Sequence, residues 1–406
     1  MTTLFLSQPA MVSCLGEGAA THLAALLDNS DSPLAETDEP FRSLGLNVTK
    51  NYTLGRVATT LRPFAGNLPT EHCSRNNQLL WHALQQIEPQ IRQVITTFGK
   101  HRIAVVIGTS TTGVDENIEV FKSAAETRDW AWRTFNQQQQ IFSAPADFVA
   151  YQYGLQGMSY GLSTACTSGA RALISAARLL QSGLCDAVIC GGVDTLSPLT
   201  VSGFDSLSVL AEQRTNPLSE NRCGINIGEA AAVFVMTREI LSEQPAIQLL
   251  GYGSSSDAYH MSSPHPQGEG AITALKNALK MTALSPAQIG WVNLHGTGTL
   301  HNDQMEVLAV NQVLGEQVPC TSTKSYTGHT LGAAGALEAA IVWAVISRQH
   351  NPQGKLPAQL WDKQQDSALA QIRITDGNSY WQSPRRIGAS SSFAFGGNNA
   401  VLILGE

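Results

Sequence analysis

The stretch Y-G-L-S-T-A-C-T-S-G-A-R-A-L-I-S-A-A-R, Tyr160 to Arg178, decides how this chain is read. Cys166 sits among small residues just before an Ala- and Leu-rich run with helical spacing. Gly161 to Ala165 read as the end of a buried strand and a tight turn, and Gly169 to Leu180 as a helix with a small-residue face. That geometry places the Cys166 sulfur at a helix N-terminus, where unpaired N–H groups and the helix dipole favour a thiolate. The same N–H groups face an oxyanion formed when the sulfur attacks a carbonyl. A lone cysteine is more often a buried structural residue, so the rest of the chain has to supply the partners.

Length and composition narrow the class. The 406 residues exceed one ordinary core, so two domains or a duplicated fold are expected. Hydrophobic residues at 43% against 14% charged fit an enzyme with a large interior and a large subunit interface. The 35 glycines are scattered, which signals tight turns and close helix packing rather than disorder. A net charge of −7 argues against nucleic acid as a partner. The seven cysteines show no C-x-x-C spacing, so neither zinc nor a disulfide framework is indicated. Phe148 to Ala170 are uncharged but too rich in Gly, Ser, Thr and Tyr for a membrane span. The N-terminus lacks the basic region of a signal peptide, which leaves a reducing cytoplasm as the expectation.

Along the chain, Thr3 to Leu6 predict a strand and Gly18 to Leu27 a helix. Ser30 to Thr70, with four prolines, predict an irregular surface excursion. Ser74 to Ile95 predict one amphipathic helix, Ile103 to Ile107 a strand entering G-T-S-T-T-G, and Glu116 to Gln140 an exposed helix. Cys185 to Cys190 and Ala231 to Met236 predict further strands. After Gln244-Pro245 the pattern repeats. Ile103 to Gly113 resembles Ile289 to Thr299; the Cys166 segment resembles Lys324 to Ala340; Cys185 to Asp194 resembles Ser390 to Asn399. Three matched pieces in one order predict an α/β chain of two similar layered halves, residues 1–245 carrying Cys166 and residues 246–406 carrying two histidines.

Those histidines are His295, in H-G-T-G-T-L-H-N-D, and His329, in K-S-Y-T-G-H-T-L-G-A-A-G. Each lies in a Gly-rich turn at an element terminus, whereas His72, His82, His101, His260, His265 and His350 have no such setting. One thiol with two imidazoles makes a nucleophile and two neutral donors or bases. Gly296 to Thr299 do not match a phosphate-binding loop; the Thr297 and Thr299 hydroxyls suit the amide groups of a long substrate arm.

With these motifs in order, the chain resembles an elongating β-ketoacyl-acyl carrier protein synthase of the thiolase-like superfamily, over nearly its full length. The resemblance rests on T-A-C-T-S-G (Thr164 to Gly169), H-G-T-G-T (His295 to Thr299) with Asn302-Asp303, K-S-Y-T-G-H-T-L-G-A-A-G (Lys324 to Gly335) and F-A-F-G-G-N-N-A (Phe393 to Ala400). It implies the duplicated α-β-α-β-α fold, with Cys166 accepting an acyl chain as a thioester. It implies that His295 and His329 promote decarboxylation of a malonyl group and stabilise the enolate. Lys324 matches the lysine beside that pair, and Glu338 the acid in its hydrogen-bond network. The N–H groups of Cys166 and Phe395 match the oxyanion hole, and Phe395 also matches the gate between the acyl and malonyl sites. Thr297 and Thr299 match the hydroxyls that bind phosphopantetheine. The implied partners are an acyl carrier protein, which brings that arm, and a second subunit, identical or related. No resident cofactor or metal is implied.

Three departures stand out. Thr167, Ser168 and Gly169 follow the nucleophile where the family has Ser first. The loop P-F-D-x-x-R-D-G becomes P-L-S-E-N-R-C-G, Pro217 to Gly224, so Ser219 and Cys223 replace two acids. F-G-F-G-G becomes F-A-F-G-G through Ala394. Such drift points to a specialised pathway, polyketide or polyene-like, rather than housekeeping fatty-acid synthesis. The competing reading is a non-catalytic partner subunit, the chain-length-factor kind, which usually lacks the nucleophile. A degradative thiolase needs a second catalytic cysteine, and none follows Cys320. An initiating synthase carries Asn in place of His329, and a cysteine hydrolase leaves the Lys324 motif unexplained. Because carrier proteins are acidic, docking calls for a basic patch; Lys122, Arg128 and Arg133 on the exposed helix are candidates.

Overall fold

The computed structural model describes residues 2–28, 31–48, 50–64, 66–130, 135–241 and 247–406. Strands and helices stack in five layers, helix–sheet–helix–sheet–helix. In the N-terminal half, Ser159–Leu162, Ile103–Gly108 and Ala187–Asp194 run parallel in that spatial order. Ala230–Thr237 follows antiparallel, with Ala10–Ser13 antiparallel beyond it. The C-terminal half repeats the order: Pro319–Thr321, Trp291–Asn293 and Ile387–Phe393 parallel, then Asn398–Gly405 and Gln248–Ser256 antiparallel. Phe5–Leu6 pairs with both Ala230–Thr237 and Gln248–Ser256 and so joins the two sheets. Two of the segment pairs matched in the sequence occupy equivalent places in this order; the third is out of step, since Cys185–Asp194 covers the strand Ala187–Asp194 whereas Ser390–Asn399 takes in the end of Ile387–Phe393, the turn and the start of Asn398–Gly405. The expected boundary at 245/246 falls on residues 242–246, outside the described residues.

The middle layer is two helices, the nucleophile helix Ser168–Gln181 and its twin Ala334–Ile346. All thirteen residues of the twin are buried, which is why it shows no amphipathic face: helix and sheet surround it on every side. Small residues let the two helices touch. A Cβ on Gly169 would stand 2.7 Å from Ala336 N, and one on Gly335 would stand 2.7 Å from Ala170 Cβ. The contact is reciprocal, each glycine facing the residue after the other. Outer layers are Arg75–Leu84, Glu88–Phe98 and Ala144–Tyr153 on one sheet, and Glu269–Lys280 with Leu300–Leu314 on the other.

Several elements differ from expectation. The single helix over Ser74 to Ile95 is two, because Pro89 in the first turn of the second helix has no N–H to continue the first. The helix over Glu116 to Gln140 is Ile118–Thr127, ending with Arg128 left-handed at φ 58°, plus the single turn Gln137–Gln140. The excursion of Ser30 to Thr70 contains a hairpin, Ala35–Thr37 with Tyr52–Leu54. The strand before Cys166 is half-buried rather than buried, since it is the last strand of the sheet.

Candidate active site

Cys166 sits in the turn between Ser159–Leu162 and the nucleophile helix. Ala165 before it is left-handed, φ 51°, a strained conformation for a residue with a Cβ. Local hydrogen bonds hold the turn. Ser168 Oγ accepts the Thr164 N–H at 2.9 Å and donates to Ala165 O at 2.6 Å, while Thr167 Oγ1 donates to Thr164 O at 2.7 Å. The side chain is buried against the opposite half, and Sγ lies 2.9 Å from His329 Nε2.

Burial overturns the expected thiolate. It pushes the Cys166 thiol up to about 12, with Glu338 and Asp194 adding to the rise and the Lys324 ammonium opposing it. Desolvation of an anion outweighs the pull of the helix terminus here. The resting pair is therefore a neutral thiol beside a neutral imidazole. Burial and the Lys324 charge hold both His295 and His329 well below the ordinary histidine range.

The two imidazoles are fixed differently. The backbone of His329 is clamped by N–H to Asn226 O at 2.6 Å and by the Gly228 N–H to its carbonyl at 3.0 Å. Its Nδ1 has no hydrogen-bond partner among the described residues. The His295 backbone N–H donates to Glu306 Oε1 at 2.7 Å, and the next N–H, of Gly296, donates to Oε2 at 2.6 Å. Glu306 is buried, which pushes its carboxyl up to about 7 against the bonds that favour its charge. The Lys324 ammonium sits 3.3 Å from His295 Nδ1, so Nδ1 accepts and the ring proton belongs on Nε2. Lys324 is ion-paired with Glu338, both buried. The rings of His295 and His329 are 5.2 Å apart and perpendicular, and Phe393 packs edge-on to His295 at 6.1 Å.

Cys166, His295, His329, Thr297, Thr299 and Phe395 line one pocket, joined by Phe204 and Asp257. Lys324 and Glu338 are not in its wall; they stand behind His295. The hydroxyls of Thr297 and Thr299 are 2.9 Å apart. Phe395 faces Phe204 at 6.0 Å between ring centres. In its turn the N–H groups of Ala394, Gly396 and Gly397 are bonded to Asn398 O, Met261 O and Ala394 O. The Phe395 N–H has no partner among the described residues, as an oxyanion donor requires. The Pro217 to Gly224 loop braces the His295 turn: the Gly224 N–H donates to Gly298 O at 2.9 Å, and Leu218 N–H to Asp303 at 2.9 Å. Ser219 donates to Asp362 at 3.0 Å, and Cys223 is exposed.

The donor atoms of Cys166, His295 and His329 lie within 4.8 Å of one another, close enough to surround a cation. The Lys324 charge at His295 Nδ1 opposes a dication there, and the arrangement fits proton transfer and oxyanion binding better. Sequence reasoning missed Glu306, Asn226 and Asp194. Glu306 carried a signal, lying one helical turn beyond Asn302 in the helix that follows His295. Asp194 accepts from Thr109, Ser110, Thr111 and the Gly332 N–H, and so ties a turn of one half to the other. Nothing local in its sequence announces that.

The beta-ketoacyl synthase N-terminal domain model matches residues 76–240, and the C-terminal domain model matches residues 247–354. The 3-oxoacyl-[acyl-carrier-protein] synthase 2 of a Synechocystis species is 31% identical, over 79% of each chain. A putative mitochondrial 3-oxoacyl-[acyl-carrier-protein] synthase of Schizosaccharomyces pombe is 32% identical over 64% of this chain, an alignment that takes in 65% of that protein. A solved Xenorhabdus doucetiae structure, a ketosynthase (ApeO) in complex with its chain length factor (ApeC), has a chain 42% identical at a TM-score of 0.89. That match covers 100% of this chain and 98% of the other. The chain belongs to the beta-ketoacyl synthase family.

Proposed function

We propose that this chain is the condensing subunit of a 3-oxoacyl-[acyl-carrier-protein] synthase, joining a Cys166-bound acyl group to malonyl-carrier protein with loss of carbon dioxide. The observation that carries this is the Cys166 Sγ, 2.9 Å from His329 Nε2, with His295 perpendicular beside it in one buried pocket. The thiol proton passes to His329 Nε2 as the sulfur attacks the acyl thioester. The tetrahedral oxyanion faces the Phe395 N–H, and the departing pantetheine sulfur takes the proton back. In the second half-reaction the malonyl carbon–carbon bond breaks and negative charge moves to the thioester oxygen. The Nε2–H of His295, with its tautomer set by Lys324, binds this enolate in a dry site, and His329 joins it once its ring proton has moved from Nδ1, which has no partner among the described residues, to Nε2. Its carbon then attacks the Cys166 thioester, and the thiolate leaves. Thr297 and Thr299 hold the amide groups of the arm, which arrives on the carrier protein, so no resident cofactor is needed.

A non-catalytic partner role is disfavoured because the nucleophile and both imidazoles are assembled. The 42% identity to a chain of a ketosynthase and chain-length-factor complex supports a specialised pathway and a related second subunit. The place for such a subunit is the edge of Ser159–Leu162 that no further strand pairs with among the described residues, flanked by the exposed Phe142, Tyr151 and Met158. Among the described residues no helix is long and apolar enough to cross a membrane, and the free cysteines fit the cytoplasm. Intact-protein mass spectrometry with candidate acyl-carrier proteins tests the reading. An acyl mass on Cys166, absent in Cys166→Ser, is expected; no adduct from any donor would refute it.

A further inference from the structure

The cations of this chain are held in different ways. Lys122 pairs with Glu119 at 2.9 Å on the surface, and Arg133 lies outside the described residues. Arg222, in the loop Pro217 to Gly224, is instead buried, its side chain 4% exposed. A guanidinium taken out of water needs a carboxylate, and Glu220, the loop's own acid, is not its partner among the described residues. Arg222 Nη1 donates to Asp366 at 2.7 Å, across 144 residues of chain, and its Nε stands 3.9 Å from Asp303. Asp366 arrives on a short segment zipped to the loop. The Glu220 N–H donates to Gln364 O at 2.8 Å, and the Asp366 N–H to Leu218 O at 3.3 Å. Asp362 accepts from Ser219 Oγ at 3.0 Å and from Asn221 Nδ2 at 2.9 Å. On its other side the loop meets the turn that carries Thr297 and Thr299. Asp303 Oδ2 accepts the Leu218 N–H at 2.9 Å, and its Oδ1 accepts the Gly298 N–H at 3.2 Å. Thr215 Oγ1 reaches Gly224 O at 2.7 Å and Thr297 O at 3.1 Å. A line of charge and hydrogen-bond contacts thus runs from Asp366 through Arg222 and Asp303 to Gly298, between the two threonines.

We infer that Asp366 and Arg222 are positioning residues for the pantetheine arm, holding the Thr297–Thr299 turn against the pocket without touching substrate themselves. This rests on the condensing function proposed above, in which the two hydroxyls take the amides of the arm. Neither Asp366 nor Arg222 lines the pocket, whereas Thr297 and Thr299 both do. The reacting groups are held by other means: Cys166 by the bonds of its own turn, His329 by Asn226 and Gly228, and His295 by Glu306. The two hydroxyls lie 2.9 Å apart, so a shift of the Gly298 backbone between them alters both. Asp366 is the end of the line that can be perturbed gently, because its side chain is 19% exposed while Arg222 is interior. With Asp366 neutral, Arg222 is balanced by Asp303 alone. The carboxylate that holds the Gly298 N–H is then drawn toward the guanidinium, and the turn moves with it.

The test uses the full chain and one acyl group on two donors, pantetheine and thiophenol, of which the second has no arm. Both are assayed for acylation of Cys166. Asp366→Asn should raise KM for acyl-pantetheine about tenfold, the size of one net hydrogen bond, with kcat within about twofold of the parent. The thiophenol thioester should keep its kcat/KM within about twofold in the same variant. Asp366→Glu should restore most of the lost KM. Adding Asp366→Asn to Thr297→Val should raise KM less than about twofold over Thr297→Val alone, because both changes act on one contact. A purely structural role would slow both donors together. An unchanged KM in Asp366→Asn overturns the inference, as does an equal loss with both donors or full additivity with Thr297→Val. A parent chain acylated by the thiophenol donor alone overturns it too, whereas a parent acylated by neither donor overturns the condensing function itself. Should Asp366→Asn fail to fold, Arg222→Lys, which keeps the charge and loses the fork, is read by the same split between donors.

Discussion

The turns ahead of the two central helices have one backbone and two chemistries. In the first, Thr164, Ala165, Cys166 and Thr167 lead into Ser168; in the second, Thr330, Leu331, Gly332 and Ala333 lead into Ala334. Ala165 and Leu331 are both left-handed, at φ 51° and 49°, and Gly169 and Gly335 make the same close approach to the opposite helix. Yet the first turn places a thiol where the second has a glycine whose N–H binds Asp194. The second instead presents His329, just before Thr330, across to the thiol. A duplicated strained turn thus supplies the nucleophile from one copy and its base from the other. Their meeting depends on two helices packed at glycine distance.

The largest break in this comparison is at the sulfur. Cys166→Ala should abolish acyl transfer and condensation, yet still release carbon dioxide from malonyl-carrier protein, because both imidazole donors remain. Scintillation counting of the released gas beside acyl transfer separates the halves; loss of both activities in a folded variant would contradict the division. Next in size are the histidines. His295→Ala and His329→Ala should each slow decarboxylation about 10²–10³-fold, the usual cost of one oxyanion donor. Only His329→Ala should also slow acylation of Cys166 by more than tenfold. Equal acylation rates in the two variants would mean that the 2.9 Å contact carries no proton.

Lys324→Ala strands a buried carboxylate, for a cost of about 3–5 kcal/mol. Glu338 is already pushed up to about 7 by burial despite the lysine, so losing the cation raises it further. A carboxyl whose folded pKa exceeds its unfolded one favours the fold at low pH, and that contribution is lost as pH rises through the folded value. The melting deficit of Lys324→Ala should therefore be smaller at pH 6 than at pH 8.5, by calorimetry, while Lys324→Arg keeps most of the stability. Fourth, the raised Cys166 thiol predicts alkylation by iodoacetamide that climbs about tenfold per pH unit from 6 to 8, tracking the thiolate fraction. A plateau below pH 7 would reveal a thiolate–imidazolium pair instead. The smallest effect tests the duplication: Gly169→Ala and Gly335→Ala should each cost about 1–3 kcal/mol by overpacking, and by similar amounts. Urea titration showing one neutral and one severe would break the symmetry.

Sequence alone determined a good deal here. The periodicities located the strands Ile103–Gly108, Ala187–Asp194 and Ala230–Thr237 and the nucleophile helix, because local pattern governs them. The repeated motifs pointed to two similar halves; Cys166 was singled out by its small-residue turn before a helix and His295 and His329 by Gly-rich turns at element ends, and the fold brings the three into one pocket. Tertiary structure decided the rest. The Cys166–His329 contact joins residues 163 apart, and the Lys324–His295 contact that sets a tautomer joins residues 29 apart. Neither distance is written in local spacing. The protonation of Cys166 was misread from sequence because a helix terminus is a local feature, whereas desolvation depends on what the other half places over the sulfur. Glu306 and Asp194 became visible as turn-holders only when their carboxylates were seen among N–H groups of remote chain.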